Sequence, residues 1–167
     1  MSHAKNKVKW CLKKGKKELR EKGKHKGLVR TSSDIRKARQ HIVKAEHNLR
    51  FMMSLKDKEF SDWCGSAAFY SIYHSLLAIL AKFGYESRNQ ECTFALIEGM
   101  AEDETISFDT SLLDSIIKND SHEKETITEI REQYQYGTKL SIEDKTYDEL
   151  LDATKRILGE TKRIIEE

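Results

Sequence analysis

The side chains able to move a proton or grip a phosphate fall in a few short stretches. His74 ends the run Ala68-Phe69-Tyr70-Ser71-Ile72-Tyr73-His74, where two phenols and an imidazole interrupt an apolar segment. Arg88 and Asn89 follow a turn at Phe83-Gly84-Tyr85, and Arg131 stands beside Ile130. Histidine has the ordinary pKa that suits acid–base work near neutrality. Arginine presents a planar fork of donors that matches a phosphate. Lys13, Lys14, Lys16 and Lys17 crowd the opening segment and supply point charges for the same ligand.

Each feature also has a plainer structural role. A histidine on an apolar helix is expected to be a core residue, hydrogen-bonded to a neighbouring helix or to a dimer mate, and this is the reading preferred for His74. Tyr70 and Tyr73 are expected to be buried with satisfied hydroxyls rather than stacked on a base. Arg131 suits an acidic neighbour as well as a phosphate.

The general motifs of catalysis are missing. Gly23, Gly27 and Gly65 stand in no phosphate-cradling or dinucleotide spacing. His3, His25, His41, His47, His74 and His122 never fall at i, i+4 beside a third ligand, so neither a metal site nor a cofactor is expected. There is no G-x-S-x-G elbow, and Cys64 lies in an apolar stretch that suits an inert thiol.

Helices must position these residues. Thr31-Ser32-Ser33 offers N-cap hydroxyls, and Ile35, Ala38, Ile42, Ala45, Leu49 and Met52 then recur at the spacing of one helical face. A second helix is expected from Ser61, as its cap, to Phe83, ended by Gly84. It is apolar or small almost all round, which places it at the centre of a bundle. Ser66, Ser71, His74 and Ser75 interrupt it, so a membrane span is rejected. Ser87 is expected to cap a helix from Arg88 to about Met100. After an acidic loop come Leu112, Leu113, Ile116 and Ile117, then a break at Asn119-Asp120-Ser121. A run with Ile127, Ile130 and Tyr134 stops near Gly137, and a last amphipathic helix starts around Thr146. The opening stretch, Val8-Lys9-Trp10-Cys11-Leu12-Lys13-Lys14-Gly15, reads as a short basic helix with apolar anchors, followed by a frayed loop over Lys22–Gly27.

Composition agrees. The chain has 167 residues, 38% hydrophobic and 35% charged, with no proline and eight glycines, which disfavours turn-rich β architectures. The expectation is one all-α domain over residues 31–167, an antiparallel up-and-down bundle of four to five main helices, with residues 1–30 as a basic N-terminal extension. The charge is uneven. Residues 1–58 hold 19 Lys/Arg against 5 Asp/Glu, and the rest hold 11 against 23. Such an end suits a phosphate-binding arm, or else balances the acidic half of the same chain or of a dimer mate. Cys11, Cys64 and Cys92 form no C-x-x-C pair, and their odd number with no signal peptide points to a reducing, cytoplasmic setting.

The order of Ile42-Val43-Lys44-Ala45-Glu46-His47-Asn48-Leu49, the Tyr70-x-x-Tyr73-His74 helix, the glycine turn into Ser87-Arg88-Asn89-Gln90-Glu91-Cys92, and Ile130-Arg131-Glu132-Gln133-Tyr134-Gln135-Tyr136-Gly137 resembles the HEPN family (higher eukaryotes and prokaryotes nucleotide-binding) over about residues 33–165. The basic opening with Trp10-Cys11-Leu12 and Gly15 looks like archaeal members. The resemblance implies a compact bundle of four or five helices that dimerises. It also implies RNA or nucleotide ligands. Many members are metal-independent ribonucleases, often toxins paired with a small nucleotidyltransferase, whose active site is an Arg-x4–6-His motif repeated across a dimer cleft.

In that family the arginine would stabilise the transition-state phosphate while the histidine moves a proton. Arg88-Asn89 sits where the motif begins, but the histidine positions hold Thr93, Phe94 and Ala95. Arg20–His25 and Arg36–His41 match the spacing by accident, the second pair lying about 140° apart round one helix. His74 is the only replacement base in view. The expected function is binding of RNA or a nucleotide at Arg88, Asn89, Arg131 and the N-terminal lysines, with a homodimer as the assembly and no membrane. Catalysis through Arg88 and His74 is one alternative. The other is a non-catalytic module partnering a small nucleotidyltransferase.

Overall fold

The computed structural model describes residues 1–117 and 125–167; the expected break at Asn119-Asp120-Ser121, and His122, lie outside the described residues. The elements are α1 (His3–Lys22), β1 (Leu28–Arg30), α2 (Ile35–Ser54), a 3-10 turn (Ser61–Trp63), α3 (Cys64–Lys82), β2 (Tyr85–Ser87), α4 (Gln90–Glu102), α5 (Ser111–Asp114), α6 (Ile127–Tyr136) and α7 (Asp144–Glu166). The expected all-α class is what forms.

The core helix is α3, packed against α2, α4, α6 and α7. Its segment from Ser61 to Lys82 has the length and hydropathy of a membrane span, yet most of it is buried inside the bundle. Small side chains let it run close to α2. Ser71 Oγ donates to the Ala45 carbonyl at 2.7 Å, and Cys64 Sγ lies 3.6 Å from the Met52 carbonyl. At the other end the Asp34 amide donates to the Ala81 carbonyl at 2.9 Å. The pairings 34–81, 45–71 and 52–64 run in opposite directions along the chain, so α2 and α3 form an antiparallel hairpin in fixed register. Phe69, Ile72, Leu76, Ile79 and Leu80 of α3 meet Met52, Ile97, Leu150, Ile157 and Ile164 in one core.

Several boundaries differ from expectation. Ser61 does not cap α3; its Oγ accepts the Ile142 amide at 3.2 Å instead. Asn89, not Ser87, caps α4, accepting the Cys92 amide at 2.9 Å, so Arg88 lies ahead of the helix. The stop at Gly84 is as expected: its φ of 78° is left-handed, and a Cβ there would meet the Thr31 carbonyl at 2.8 Å.

The N-terminal segment is no short helix. α1 runs 20 residues, capped by Ser2 and ended by left-handed Gly23. Its inner face holds Ala4, Cys11 and Gly15, and Cys11 forms a disulfide with Cys92 of α4. The reducing setting expected from three scattered cysteines left no place for that bond, which the tertiary fold creates; Cys64 alone is free, and buried. Past α1 the chain returns as β1, which pairs antiparallel with β2 in the register Leu28–Ser87, Val29–Glu86 and Arg30–Tyr85. The extension is thereby docked on the bundle by a covalent bond and a two-stranded ladder.

Candidate functional site

On α3 the aromatic and imidazole side chains form a partly open stripe. His74 and Tyr73 are half-buried, whereas Tyr70 is exposed, which corrects its expected burial. Tyr73 stacks on Phe69 with ring centres 6.2 Å apart. Burial raises the Tyr73 pKa, and hydrogen bonds to Thr93 and Ser87 work against that rise. Thr93 in turn donates to Ser87 Oγ at 2.8 Å. The three hydroxyls tie α3 to the start of α4.

His74 has the neighbouring-helix partner expected of it: its Nδ1 lies 3.0 Å from Nδ1 of His41 on α2. Burial lowers the pKa of both rings, with Lys44 adding to the effect at His74, and His74 and Lys37 adding to it at His41. Both imidazoles are neutral at neutral pH. This is the state in which one ring accepts a proton and the other donates it.

Arg88 is exposed and turns back on Glu86, its Nε donating to Oε1 at 3.1 Å. The same carboxylate takes His25 at 3.1 Å and Lys37 at 3.3 Å. Glu86 is therefore a hub for three cationic or titratable partners. Its own burial pushes its pKa up, but His25, Lys37 and Arg88 together hold it below the usual carboxylate value. His25 is buried, and its other ring nitrogen lies 3.2 Å from the Gly27 carbonyl, while Arg20 points away to Glu21. Arg20 and His25 are thus separate, and His41 is turned to His74 rather than to exposed Arg36. Neither accidental Arg-x4-His match is brought together within the chain.

The histidine positions of the motif are closed as well. Thr93 is fully buried, and Phe94 and Ala95 are nearly so, so a base at any of them would face the interior. Asn89 spends its carbonyl oxygen on the α4 cap.

Arg131, on α6, lies over Phe69 with its guanidinium carbon 4.2 Å from the ring centre. Its side chain is only 12% exposed, and its Nη2 stands 3.8 Å from Glu132. Its Nε is buried without a hydrogen-bond partner. The contacts run Arg131, Phe69, Tyr73, Ser87, so Arg131 closes one end of the row of rings, while the Arg88 side chain lies with Glu86. The lysines are elsewhere. Lys13, Lys14, Lys16 and Lys17 lie on the exposed side of α1, while Lys5 and Lys7 pair with Asp103 and Glu91 on the bundle. No group of three His, Cys, Asp or Glu side chains arranged to hold a metal ion occurs among the described residues.

Sequence reasoning missed Lys37 and Glu86, and met His41 only in its accidental spacing from Arg36, not as the partner of His74. For His41 a signal existed: an antiparallel hairpin turning near residue 57 places it opposite His74. Glu86 carried no such signal, because its partners come from separate elements.

The chain is a helical bundle with an aromatic stripe on its central helix and an arginine ahead of α4. The family model for the HEPN domain matches residues 38–164, well over half of the chain, and the protein belongs to that family. Membership places its function, in general terms, with nucleotides and RNA. No curated protein matches the chain. The matched span begins inside α2, so α1 and β1 stand outside it although they are packed on it.

Proposed function

We propose that this HEPN protein binds RNA or a nucleotide through phosphate contacts at Arg88, Arg131 and the outer lysines of α1, and does so as a homodimer. The observation that carries the reading is a group of lysines without ion-pair partners on the outer side of α1. Lys13, Lys16 and Lys17 have no ion-pair partner among the described residues, although the chain as a whole is nearly neutral. Like charges held side by side on a docked helix repel one another, and a polyanion relieves that repulsion while releasing its own counter-ions. Arg131 adds a largely shielded guanidinium, 3.8 Å from Glu132, whose charge would act strongly on a phosphate that reaches its exposed edge. The open stripe of α3, with exposed Tyr70, offers the apolar surface for a second copy.

Binding without efficient cleavage is the form this reading takes. The base position of the motif is buried at Thr93, and the His41–His74 pair already spends one nitrogen of each ring on the other. The test is titration of single-stranded RNA at several salt concentrations. The log–log slope should drop when Lys13, Lys16 and Lys17 become Gln, by about 0.7 per lysine removed, and Arg88→Ala should weaken affinity further. Substitution is the right probe, because deleting residues 1–30 would also remove β1 and uncover Cys92. A slope unchanged by the three substitutions would sink the phosphate-binding role of α1.

A further inference from the structure

We propose that the outer face of α1 is a single-stranded nucleic-acid site, in which the indole of Trp10 stacks on a base while Lys14 beside it, with Lys13 and Lys17, holds the adjoining phosphates. The proposal rests on the phosphate-binding reading above and adds base contact to it. Trp10, counted from the sequence among the apolar anchors of the segment, is 53% exposed. Nothing in the core demands it there: the buried face of α1 is made by Ala4, Cys11 and Gly15, about a third of a turn or more away round the helix. Two ammonium groups flank the ring. Lys7 Nζ is 5.2 Å and Lys14 Nζ 5.0 Å from its centre, one turn on either side.

Lys7 is also paired with Glu91, which leaves Lys14 as the free cation at the ring among the described residues. An exposed indole beside unpaired lysines on a docked, rigid helix is the arrangement that takes an unpaired base, since every base has a face to stack and a phosphate on each side. A duplex keeps its base faces covered and would meet only the lysines. An anionic membrane is the rival polyanion, and the fold argues against it. The apolar face that an interfacial helix would insert is turned inward, and Cys11 on that face is bonded to Cys92 of α4.

The experiment uses the full chain carrying Trp63→Phe, which leaves Trp10 as the sole indole. Fluorescence is followed on adding a single-stranded oligouridylate, the same length of RNA duplex, inorganic polyphosphate, and vesicles rich in phosphatidylserine. The single strand should quench Trp10 saturably, while polyphosphate binds without quenching. Trp10→Ala should weaken single-strand binding about tenfold with the salt slope unchanged, and Trp10→Phe should recover most of the loss. Equal affinity of Trp10→Ala and wild type, duplex binding as tight as single strand, or a blue shift on vesicles would each overturn the proposal. Tight polyphosphate binding that depends on Lys13, Lys16 and Lys17 would leave the phosphate reading standing when base stacking fails; absence of binding to every polyanion would remove both.

Discussion

Nδ1 of His41 and Nδ1 of His74 face each other at 3.0 Å across the α2–α3 hairpin. One shared proton satisfies both nitrogens; a further proton charges one ring against its half-buried neighbour, and a second would place two charged rings side by side. Burial, then His74, then Lys37 depress the His41 pKa from 6.5 to about 4. The unfolded chain takes up protons that the folded chain refuses, so the pair's stabilisation is present above 6.5 and is lost as pH falls toward about 4. The loss should amount to about 1–2 kcal/mol once partial exposure of the rings is allowed for. Denaturant midpoints of wild type and His41→Gln, measured across that window, should converge as pH falls. Parallel curves would show that the pair is not protonated at the expense of folding.

The disulfide closes a long loop, Cys11 and Cys92 being 81 positions apart. Loop-closure entropy then assigns it about 4 kcal/mol, with native-state relaxation reducing the figure. Cys11→Ser should lower the unfolding midpoint and loosen α1, while the bundle built on α3 still folds. Thiol titration in denaturant without reductant should find a single reactive cysteine, Cys64. Three reactive thiols would show that the bond is not formed in the isolated protein.

Gly15→Ala pits propensity against packing. In an exposed helix the change would stabilise by about 1 kcal/mol. Here the new Cβ would stand 2.1 Å from the Leu28 carbonyl oxygen, a backbone atom with no rotamer to yield. The variant should lose about 2 kcal/mol and show faster proteolysis near Lys22–Lys26. A stability gain would mean that α1 and β1 are not in contact in solution.

Glu86→Gln should free Arg88 and Lys37 from their shared carboxylate. RNA affinity should rise about threefold, the scale of an exposed ion pair, while buried His25 loses its acceptor charge and thermal stability drops. Arg88→Ala in the same background should cancel the gain. A gain that persists without Arg88 would place the phosphate contact elsewhere.

Light scattering should give twice the 19.4 kDa chain mass. Tyr70→Glu, on the open α3 stripe, should return the protein to a monomer without unfolding it, since Tyr70 is exposed in the single chain. A wild-type mass of one chain across a wide concentration range would exclude the dimer.

What the sequence determined by itself was the bundle and its central helix. The recurrence of Ile35, Ala38, Ile42, Ala45, Leu49 and Met52 fits one helical face, and a helix as apolar as 64–82 is stable only when others cover it. Local chemistry also fixed the stop at Gly84, because a left-handed turn excludes most other residues. The existence of a helix just after the turn was legible too, though its cap was misplaced by two residues and Arg88 was put inside it, for Ser87 and Asn89 are both good caps and only packing chooses between them.

Tertiary structure decided the rest. Whether Cys11 meets Cys92, whether Glu86 gathers His25, Lys37 and Arg88, and whether Arg131 lies on Phe69 depend on elements far apart in the chain, with no periodicity linking them. The exposure of Trp10 belongs here as well. Its neighbours in sequence are as apolar as any anchor, but the inner face of α1 is set by the close approach of β1 at Gly15 and by the bond at Cys11. That leaves the largest side chain of the segment in solvent, since a helix can turn only one face to its support.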